Sequence, residues 1–387
     1  MKKNNILFYM SFWVIASLFG ALPYLFFGAT HSFTDALFES VSGFTTTGTS
    51  VLSYSAENQG LFFWRAATQW LGGISFIVLS LVIFFPLQKL HPRRKTTIIW
   101  LCFIYFLLTA AETISLYVAG MSIFDAVSYS FSTISTGGFY ANAIENQPAI
   151  QYILTAFMFL AGVNYTLYIR NLLSFKNLTS VKDEEFRFYA AFVLIFSVIV
   201  ALTLFFSANM NVADSLRTSL FRVTGVISTT GFYADGATSQ IPLLQLLFII
   251  LFLFGASSGS AGGGVKIKRI ALILKNLHNS FRHFIHPNAL STTHFDGKPA
   301  TLTTVNTASL YFILYIFVAL TGILLLVAIN IPLRDATNLA LTSLANIGSD
   351  IPALPLAGKY ILMLLMIIGR LELFALFVVF SRGFWKK

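Results

Sequence analysis

Long apolar segments alternate with short, half-polar segments along this chain. Each long segment can cross a hydrocarbon layer of about 30 Å as an α-helix. Each short segment is too short to span it and is rich in Ser, Thr and Gly. The order long, short, long occurs four times, which predicts four structural repeats. The long segments are approximately 5–28, 60–86, 97–120, 149–170, 186–207, 240–275, 302–330 and 358–382, and the short ones are 33–52, 123–141, 212–236 and 335–352.

This pattern predicts an all-α, polytopic membrane protein with eight spans. Composition agrees, because 56% of the 387 residues are hydrophobic, only 10% are charged and the mean hydropathy is +0.77, whereas soluble domains are about 25% charged. A soluble enzyme and a nucleic-acid-binding protein are therefore excluded. Cys102 is the only cysteine, so no intramolecular disulfide is possible. We expect repeat boundaries at 1–96, 97–185, 186–300 and 301–387.

The positions of Lys and Arg predict the orientation independently. Of the 25 Lys and Arg residues, 19 lie near the two termini or in the stretches 86–97, 170–187 and 265–298, which eight crossings place on one side. By the positive-inside rule this side is the cytoplasm, so both termini are expected there. The short segments then face outward and bring carboxylates to a predicted acidic vestibule: Asp35, Glu39, Glu57, Asp125, Glu145, Asp214, Asp235, Asp335 and Asp350.

The short segments are typical of half-crossing helices that return as loops, because irregular backbone survives at membrane depth only where it is buried in protein or lines water. Asp35, Asp125 and Asp335 each precede a short helical pattern, as acidic residues do at helix N-termini, whereas Asp214 stands at a longer offset. Each pattern then runs into a small, polar loop with a glycine. These loops are 45–49, 135–139, 228–232 and 345–349.

Four such loops around one axis predict a pseudo-fourfold cation pore. Small residues let main-chain carbonyl groups turn toward the axis, where rings of oxygens replace the hydration shell of a monovalent cation. The partially negative C-terminal pole of each short helix points the same way, which argues against an anion pathway. One Thr-Thr-Gly alone would indicate only helix packing. Four copies in register with four pairs of spans favour the pore.

With these motifs the chain resembles the Trk/Ktr/HKT superfamily of cation transporters, and within it the bacterial Trk-type potassium uptake subunits. The resemblance implies four repeats of helix, pore helix and helix around one pore. It also implies a homodimer with one pore per protomer and a cytosolic nucleotide-binding regulatory ring. The matching stretches cover almost the whole chain in order: SGFTTTGTSVL (42–52), WLGGISFIVL (70–79), SFSTISTGGF (130–139), STTGFYADG (228–236), GSAGGGVKIKR (259–269), ANIGSD (345–350) and GRLELF (369–374).

The resemblance further implies a selectivity filter built around one glycine per repeat and the carbonyl donors before it. Gly48 points to potassium, because family members with Ser at this position tend to prefer sodium. The fourth loop departs from the Trk pattern, which usually has Gly-Pro where Gly348 and Ser349 stand, and the nearby Asp350 could change affinity or selectivity. The implied filter residues are Thr46, Thr47, Gly48, Thr136, Gly137, Gly138, Thr229, Thr230, Gly231, Asn346, Ile347 and Gly348.

A candidate gate interrupts the sixth long segment at 255–264, where only Gly, Ala and Ser occur. Each interior Gly costs a helix about 1 kcal/mol relative to Ala, so a helix is poorly sustained here. The resemblance places a gating loop at this run; a packing kink or a cytoplasmic linker is the alternative. Arg370 is expected below the filter as an electrostatic barrier, or else in an ion pair with an acid such as Glu372. The gate residues are Gly255, Ser257, Ser258, Gly259, Ser260, Gly262, Gly263, Gly264 and Arg370.

Other polar residues leave alternatives open. Glu112 in the third span is either a coupling site for protons or cations or a buried, hydrogen-bonded or protonated carboxyl, and Asn164 and Arg222 have the same ambiguity. The basic stretches suit either the cytosolic ring or anionic membrane lipids. Four histidines are expected on a solvated or partner-facing surface rather than in a zinc site: His278, His283, His286 and His294.

We therefore expect potassium uptake across the inner (plasma) membrane, with potassium as the transported ion at the filter. No catalytic constellation or phosphate-binding loop is present in the sequence, so an enzyme is not expected, and neither is a bound cofactor or transition metal. Two alternatives remain. One is a sodium-permeable or unselective cation pathway of the same fold, and the other is a non-conducting membrane scaffold.

Overall fold

The computed structural model describes residues 3–52, 59–84, 94–139, 147–173, 183–232, 241–286, 292–349, 351, 354–373 and 379. These residues form fourteen α-helices and two short, two-stranded sheets. The helices are α1 (Lys3–Phe26), α2 (Phe33–Phe44), α3 (Gln59–Phe84), α4 (Arg94–Val118), α5 (Ile123–Ile134), α6 (Pro148–Ala161), α7 (Tyr165–Leu173), α8 (Glu184–Ser207), α9 (Val212–Ile227), α10 (Pro242–Leu251), α11 (Ile267–Ile285), α12 (Leu302–Ala328), α13 (Leu333–Ala345) and α14 (Leu356–Arg370). The strands are β1 (Phe254–Gly255), β2 (Val265–Lys266), β3 (His294–Phe295) and β4 (Lys298–Pro299).

Several of the long helices are suited to a lipid environment. By length and hydropathy, three of the described helices could each cross a membrane, namely α4 from Thr96 onward, α8 and α12. α6 and α7 meet the same criterion only as a pair. Apolar side chains such as Leu194, Val198 and Phe317 are exposed on the outward faces of α8 and α12. Large exposed apolar surfaces of this kind mark contact with a membrane or a partner.

The short helices α2, α5, α9 and α13 each pack between the helix before and the helix after them in the chain. The packing then continues from one group of helices to the next. α3 contacts α5, α6 contacts α9, α10 contacts α13, and α14 returns to contact α2. The four groups are therefore arranged in a closed cycle, with a short helix at each step.

Two predicted spans differ from a continuous helix. The segment 149–170 is bent by 86° between α6 and α7. At the bend, Gly162 packs against Tyr189, and the Asn164 side chain accepts a hydrogen bond from the Thr166 backbone N–H at 3.0 Å, which starts α7. Asn164 thus has a capping role here. The segment 240–275 is interrupted, as predicted, and β1 and β2 pair in parallel across the interruption.

The basic stretch 265–298 is not simply a loop. Most of it is the amphipathic helix α11, which follows β2 directly, and its end is a hairpin of β3 and β4. Apolar residues on α11 recur at helical spacing between the basic ones, as at Leu274, Leu277 and Phe281. This spacing supports a helix in spite of the many basic residues.

Candidate functional site

The four short helices begin in closely similar ways. The side chains of Ser32, Ser122 and Asn211 cap α2, α5 and α9 by accepting a hydrogen bond from the backbone N–H of the third helical residue. Asp214 is therefore not at a longer offset, as the sequence suggested; α9 is simply longer, with 16 residues against 12 or 13. The third residue is an aspartate in all four helices, at the positive helix pole: Asp35, Asp125, Asp214 and Asp335.

The four short helices also end alike. The residue two positions before each loop glycine adopts the left-handed conformation, and its backbone N–H bonds to the carbonyl three residues earlier, which stops the helix. The first three loop glycines also have positive φ, of 83°, 75° and 80°, at Gly48, Gly138 and Gly231, whereas Gly348 lies outside that region. The left-handed residues are Thr46 (φ 54°), Thr136 (φ 57°), Thr229 (φ 65°) and Asn346 (φ 56°).

These loops contact one another in cyclic order, and we call residues 45–49, 135–139, 228–232 and 346–349 the ring loops. Gly48 packs directly on the Gly137 carbonyl, and Gly138 on the Thr230 carbonyl, so closely that a Cβ would overlap the oxygen. A Cβ on Gly231 would lie 2.5 Å from the Gly348 nitrogen. The fourth ring loop returns to the first, since a Cβ on Gly348 would lie 3.3 Å from the Thr47 carbonyl oxygen. The four ring loops therefore contact one another in a closed cycle.

Side chains of the ring loops bond to each other and to the surrounding helices. The hydroxyls of Thr45 and Thr47 lie 2.8 Å apart, and those of Ser228 and Thr230 form the same pair, also at 2.8 Å. Asn346 Nδ2 donates to Thr47 Oγ1 at 3.1 Å, which ties the fourth loop to the first. The described ring-loop residues include no carboxylate and no cationic side chain. The groups that the ring offers to a cation are therefore peptide and hydroxyl oxygens.

Gln69 of α3 supports the second ring loop, and the sequence analysis missed it. The side chain is buried, its Nε2 donates to the Gly137 carbonyl at 2.7 Å, and its Oε1 accepts from Ser132 Oγ at 2.7 Å. An uncharged amide inside an apolar span is itself a signal, because a buried amide needs partners. Gln69 therefore fixes the direction of a ring carbonyl.

Glu39 was expected in an exposed vestibule, and this prediction is wrong. It is fully buried on α2, with Oε2 3.5 Å from Arg65 Nε and Oε1 accepting from the Val51 backbone N–H at 2.8 Å. Arg65 in turn lies over the Phe139 ring, 3.9 Å from its centroid. This pair therefore connects two parts of the protein, the segment that follows the first ring loop and the second ring loop.

The other predicted vestibule acids differ in their surroundings. Lys359 Nζ is 2.5 Å from Asp35, and Arg217 is 2.6 Å from Asp214, so both carboxylates are at least partly neutralised. Asp125 accepts a hydrogen bond from the Ser122 hydroxyl at 2.8 Å. Four of the expected acids lie outside the described residues: Glu57, Glu145, Asp235 and Asp350.

Replacing Arg65 with Met is expected to destabilise the protein by about 3–5 kcal/mol, because Glu39 would remain buried without its cation. The double variant Glu39→Gln/Arg65→Met should recover part of this loss. Arg217→Met is the matched control, since its pair with Asp214 is partly exposed and worth about 1 kcal/mol or less. Thermal unfolding in detergent measures all three. Equal losses for Arg65→Met and Arg217→Met would contradict a structural role for the buried pair.

The glycine run forms a buried loop, 256–264, that lies against the ring loops. Its tip contacts the third ring loop, where the Gly263 N–H donates to Thr229 Oγ1 at 2.9 Å and a Cβ on Gly262 would lie 2.8 Å from the Ser228 carbonyl oxygen. Gly263 also packs against Asn346 of the fourth ring loop. Gly255 and Gly264 pack together at its base, beside the β1–β2 pair. The run is therefore not an exposed linker.

Two cations hold this glycine loop from one side. Arg370 is fully buried, and its Nη1 donates to the Ala261 carbonyl at 2.7 Å. Lys266 is also buried and donates to the Gly262 carbonyl. Arg370 forms no ion pair with Glu372, because that carboxylate pairs with Arg269 of α11 at 2.6 Å. Lys266 was not predicted as a gate residue, although a lysine two residues after the glycine run, inside an apolar segment, is a signal.

An acidic residue holds the other side of the glycine loop. Glu185, buried in the first turn of α8, accepts a hydrogen bond from the Ser258 backbone N–H. Nearby, the Ser257 N–H donates to the Gly162 carbonyl at 3.0 Å. The Gly259 carbonyl accepts from the Tyr165 N–H, and Ser260 Oγ donates to the Ser257 carbonyl at 2.7 Å. The sequence analysis missed Glu185, because acids at the start of a span are ordinarily helix-capping residues.

The chain is similar to known proteins over its whole length. The sequence profile of the TrkH family, described as cation transport protein, matches residues 2–91 and 87–387. The Trk system potassium uptake protein TrkH of Salmonella typhimurium is 32% identical over 422 residues, which cover 100% of this chain and 86% of that protein. Its counterpart from Escherichia coli K12 is 30% identical over 419 residues, with the same coverage.

A solved structure is similar throughout. The crystal structure of the potassium transporter TrkH from Vibrio parahaemolyticus matches with a TM-score of 0.94 at 29% identity, covering 100% of this chain and 86% of that one. The resemblance drawn from the sequence motifs is thereby confirmed. The chain belongs to the TrkH family of cation transport proteins, whose members are transporters rather than enzymes.

Proposed function

We propose that this protein takes up potassium across the inner membrane through the ring formed by the four ring loops. The observation that supports this most directly is the cyclic contact of Gly48, Gly138, Gly231 and Gly348. Similar proteins are named potassium uptake proteins. The four repeats 1–96, 97–185, 186–300 and 301–387 would then surround one pseudo-fourfold pore, with eight spans in all.

The selectivity filter in this proposal consists of backbone carbonyls. An entering potassium ion loses its hydration shell and is held by the oxygens of residues that precede the four glycines. The four short helices direct their negative C-terminal poles at the same place, which stabilises a cation and disfavours an anion. Side-chain hydrogen bonds hold the ring loops in place, from Gln69 to the Gly137 carbonyl and from Asn346 to the Thr47 hydroxyl. The filter residues are Thr46, Thr47, Gly48, Thr136, Gly137, Gly138, Thr229, Thr230, Gly231, Asn346, Ile347 and Gly348.

The gate in this proposal is the glycine loop 256–264 together with Arg370. The loop lies against the third and fourth ring loops, so it obstructs an ion that has left the ring. Arg370 adds a buried positive charge beside it. Opening requires the loop to leave at least one of its anchors, the Arg370 guanidinium or the Glu185 carboxylate.

The remaining parts of the proposal concern assembly. Both termini are cytoplasmic, the protein is a homodimer with one pore per protomer, and a cytosolic nucleotide-binding ring regulates it. The name Trk system of the relatives is in keeping with a multi-component assembly. Only the two residues of β2 separate α11 from the glycine loop, so a partner that moves α11 would act on the gate.

Flux into proteoliposomes tests the proposed function. Purified protein should catalyse uptake of radioactive rubidium. An excess of potassium should suppress this uptake, whereas the same excess of sodium should not. Suppression by both ions alike would favour the unselective cation pathway. Absence of flux from folded, reconstituted protein would favour the scaffold. Protein-free vesicles supply the background.

Glu185→Ala is expected to raise rubidium flux about tenfold, because the glycine loop loses the acceptor of the Ser258 N–H. A hydrogen bond to a charged group is worth about 1.5–3 kcal/mol, enough for such a change in the open population. Glu185→Gln retains an acceptor oxygen and should stay near wild type. Glu184→Ala is the matched control, since the neighbouring Glu184 pairs with Lys275 rather than with the loop. If Glu185→Ala conducts like Glu184→Ala, Glu185 does not position the gate.

A further inference from the structure

A cavity of about 630 Å³ lies away from the ring loops, beside the β3–β4 hairpin. Three cationic residues from separate elements line it, Arg170 of α7, Lys268 of α11 and Lys298 of β4. Apolar side chains form another part of its wall: Leu272, Phe295, Pro299 and Ala300. Neither the proposed filter nor the proposed gate uses this cavity.

The acidic residues in the lining already have partners. Asp183 caps α8 by accepting from the Phe186 N–H at 3.1 Å, and it lies 3.5 Å from Arg170. Asp296 accepts from the Glu184 N–H at 2.9 Å. Among the described residues, in contrast, neither Lys268 nor Lys298 forms an ion pair. The lining therefore has an excess of positive charge, with three cationic residues, Arg170, Lys268 and Lys298, against the carboxylates of Asp183 and Asp296.

The neighbouring helix α11 indicates where this cavity lies. Its outer face carries exposed apolar side chains together with the exposed Arg282. A basic amphipathic helix of this kind lies in the plane of a membrane surface, with its apolar face in the headgroup region. With the orientation proposed above, the cavity is level with the inner-leaflet headgroups. The exposed apolar residues of α11 are Leu274, Leu277, Phe281, Phe284 and Ile285.

We propose that this cavity binds the phosphate headgroup of an anionic lipid, with Lys268 and Lys298 as the phosphate-binding residues. Lysine ammonium groups bind phosphate as point charges, and basic pockets between membrane helices on the cytoplasmic side bind anionic headgroups. The apolar wall suits the glycerol and upper acyl region of the same molecule. Lys268 follows β2 by two residues, so the lipid would also tether the base of the glycine loop.

Lipid titration of the full-length protein in detergent, read by native mass spectrometry, tests this inference. The probes are phosphatidylglycerol, phosphatidylcholine of equal chain length, and inorganic phosphate. Wild type should bind phosphatidylglycerol more tightly than phosphatidylcholine. Removing either lysine should lower the affinity for phosphatidylglycerol about fivefold. The double variant Lys268→Ala/Lys298→Ala should therefore bind this lipid roughly thirtyfold more weakly. Arg334→Ala, which removes an exposed cation of α13 that does not line the cavity, should bind like wild type.

Lys298→Glu covers the case in which the double variant does not fold, because Lys298 is exposed on the hairpin. Unchanged phosphatidylglycerol affinity in Lys298→Glu would overturn the proposal. So would equal binding of the two lipids, or occupation of the site by inorganic phosphate with no preference for phosphatidylglycerol. These readouts do not depend on ion flux, so failure here is separate from failure of the proposed potassium uptake.

Discussion

Gly138→Ala is expected to reduce rubidium uptake to the background of protein-free vesicles, whereas Gly28→Ala retains wild-type uptake. Both glycines have similar left-handed backbones, with φ of 75° and 69°. Alanine should therefore cost each a similar strain, about 1–3 kcal/mol. They differ in their surroundings, because a Cβ on Gly138 would overlap the Thr230 carbonyl and one on Gly28 would meet nothing within 4 Å. The added methyl group should push two ring loops apart only in Gly138→Ala.

Thermal unfolding of the two variants provides the control for this comparison. Similar melting temperatures with opposite flux would locate the defect in the ring rather than in stability. If folded Gly138→Ala conducts and selects rubidium as well as Gly28→Ala does, close contact between the second and third ring loops is not needed for conduction.

Arg370→Ala is expected to increase flux about tenfold. The variant removes the hydrogen bond to the Ala261 carbonyl, and a charge-assisted bond of about 1.5–3 kcal/mol corresponds to a tenfold or larger change in the open population. It also removes a buried positive charge next to the cation path. Initial rates of rubidium uptake at matched protein content in the vesicles measure the effect.

Arg370→Lys separates the two contributions of the arginine. It keeps the charge but replaces the guanidinium that reaches Ala261 and lies 4.0 Å from the centroid of the Phe76 ring. Low flux in this variant would assign the barrier to charge, and high flux would assign it to anchoring of the loop. Unchanged flux in well-folded Arg370→Ala would contradict any gating role.

The cycle of short helices was largely predictable from sequence, because its determinants are local. Each repeat carries an aspartate in the first turn and a glycine after the helix, and three of the four carry a capping side chain, so the pattern recurs at readable spacing. The bend between α6 and α7 was not predictable from hydropathy, since Gly162 and Asn164 interrupt an otherwise apolar segment by only a few residues. Hydropathy averages over such a break.

Partner choice inside the protein was not predictable, because it depends on how the four groups of helices pack. Arg370 and Ala261 are 109 residues apart, and Arg269 and Glu372 are 103 residues apart. The sequence offered Glu372, two residues away, as the alternative partner of Arg370. Instead α14 ends at Arg370 and Glu372 turns into a left-handed conformation with φ of 58°, where it meets Arg269.

The position of the bound ion tests the central claim most directly. Thallium or rubidium, which substitute for potassium and scatter strongly, can be located in crystals of the full-length protein by anomalous diffraction. The account predicts peaks on the axis among the ring loops, next to the carbonyl oxygens of Thr47, Gly137, Thr230 and Ile347, and their loss when sodium replaces the heavier ion. Strong peaks elsewhere in the protein, with none inside the ring, would contradict it.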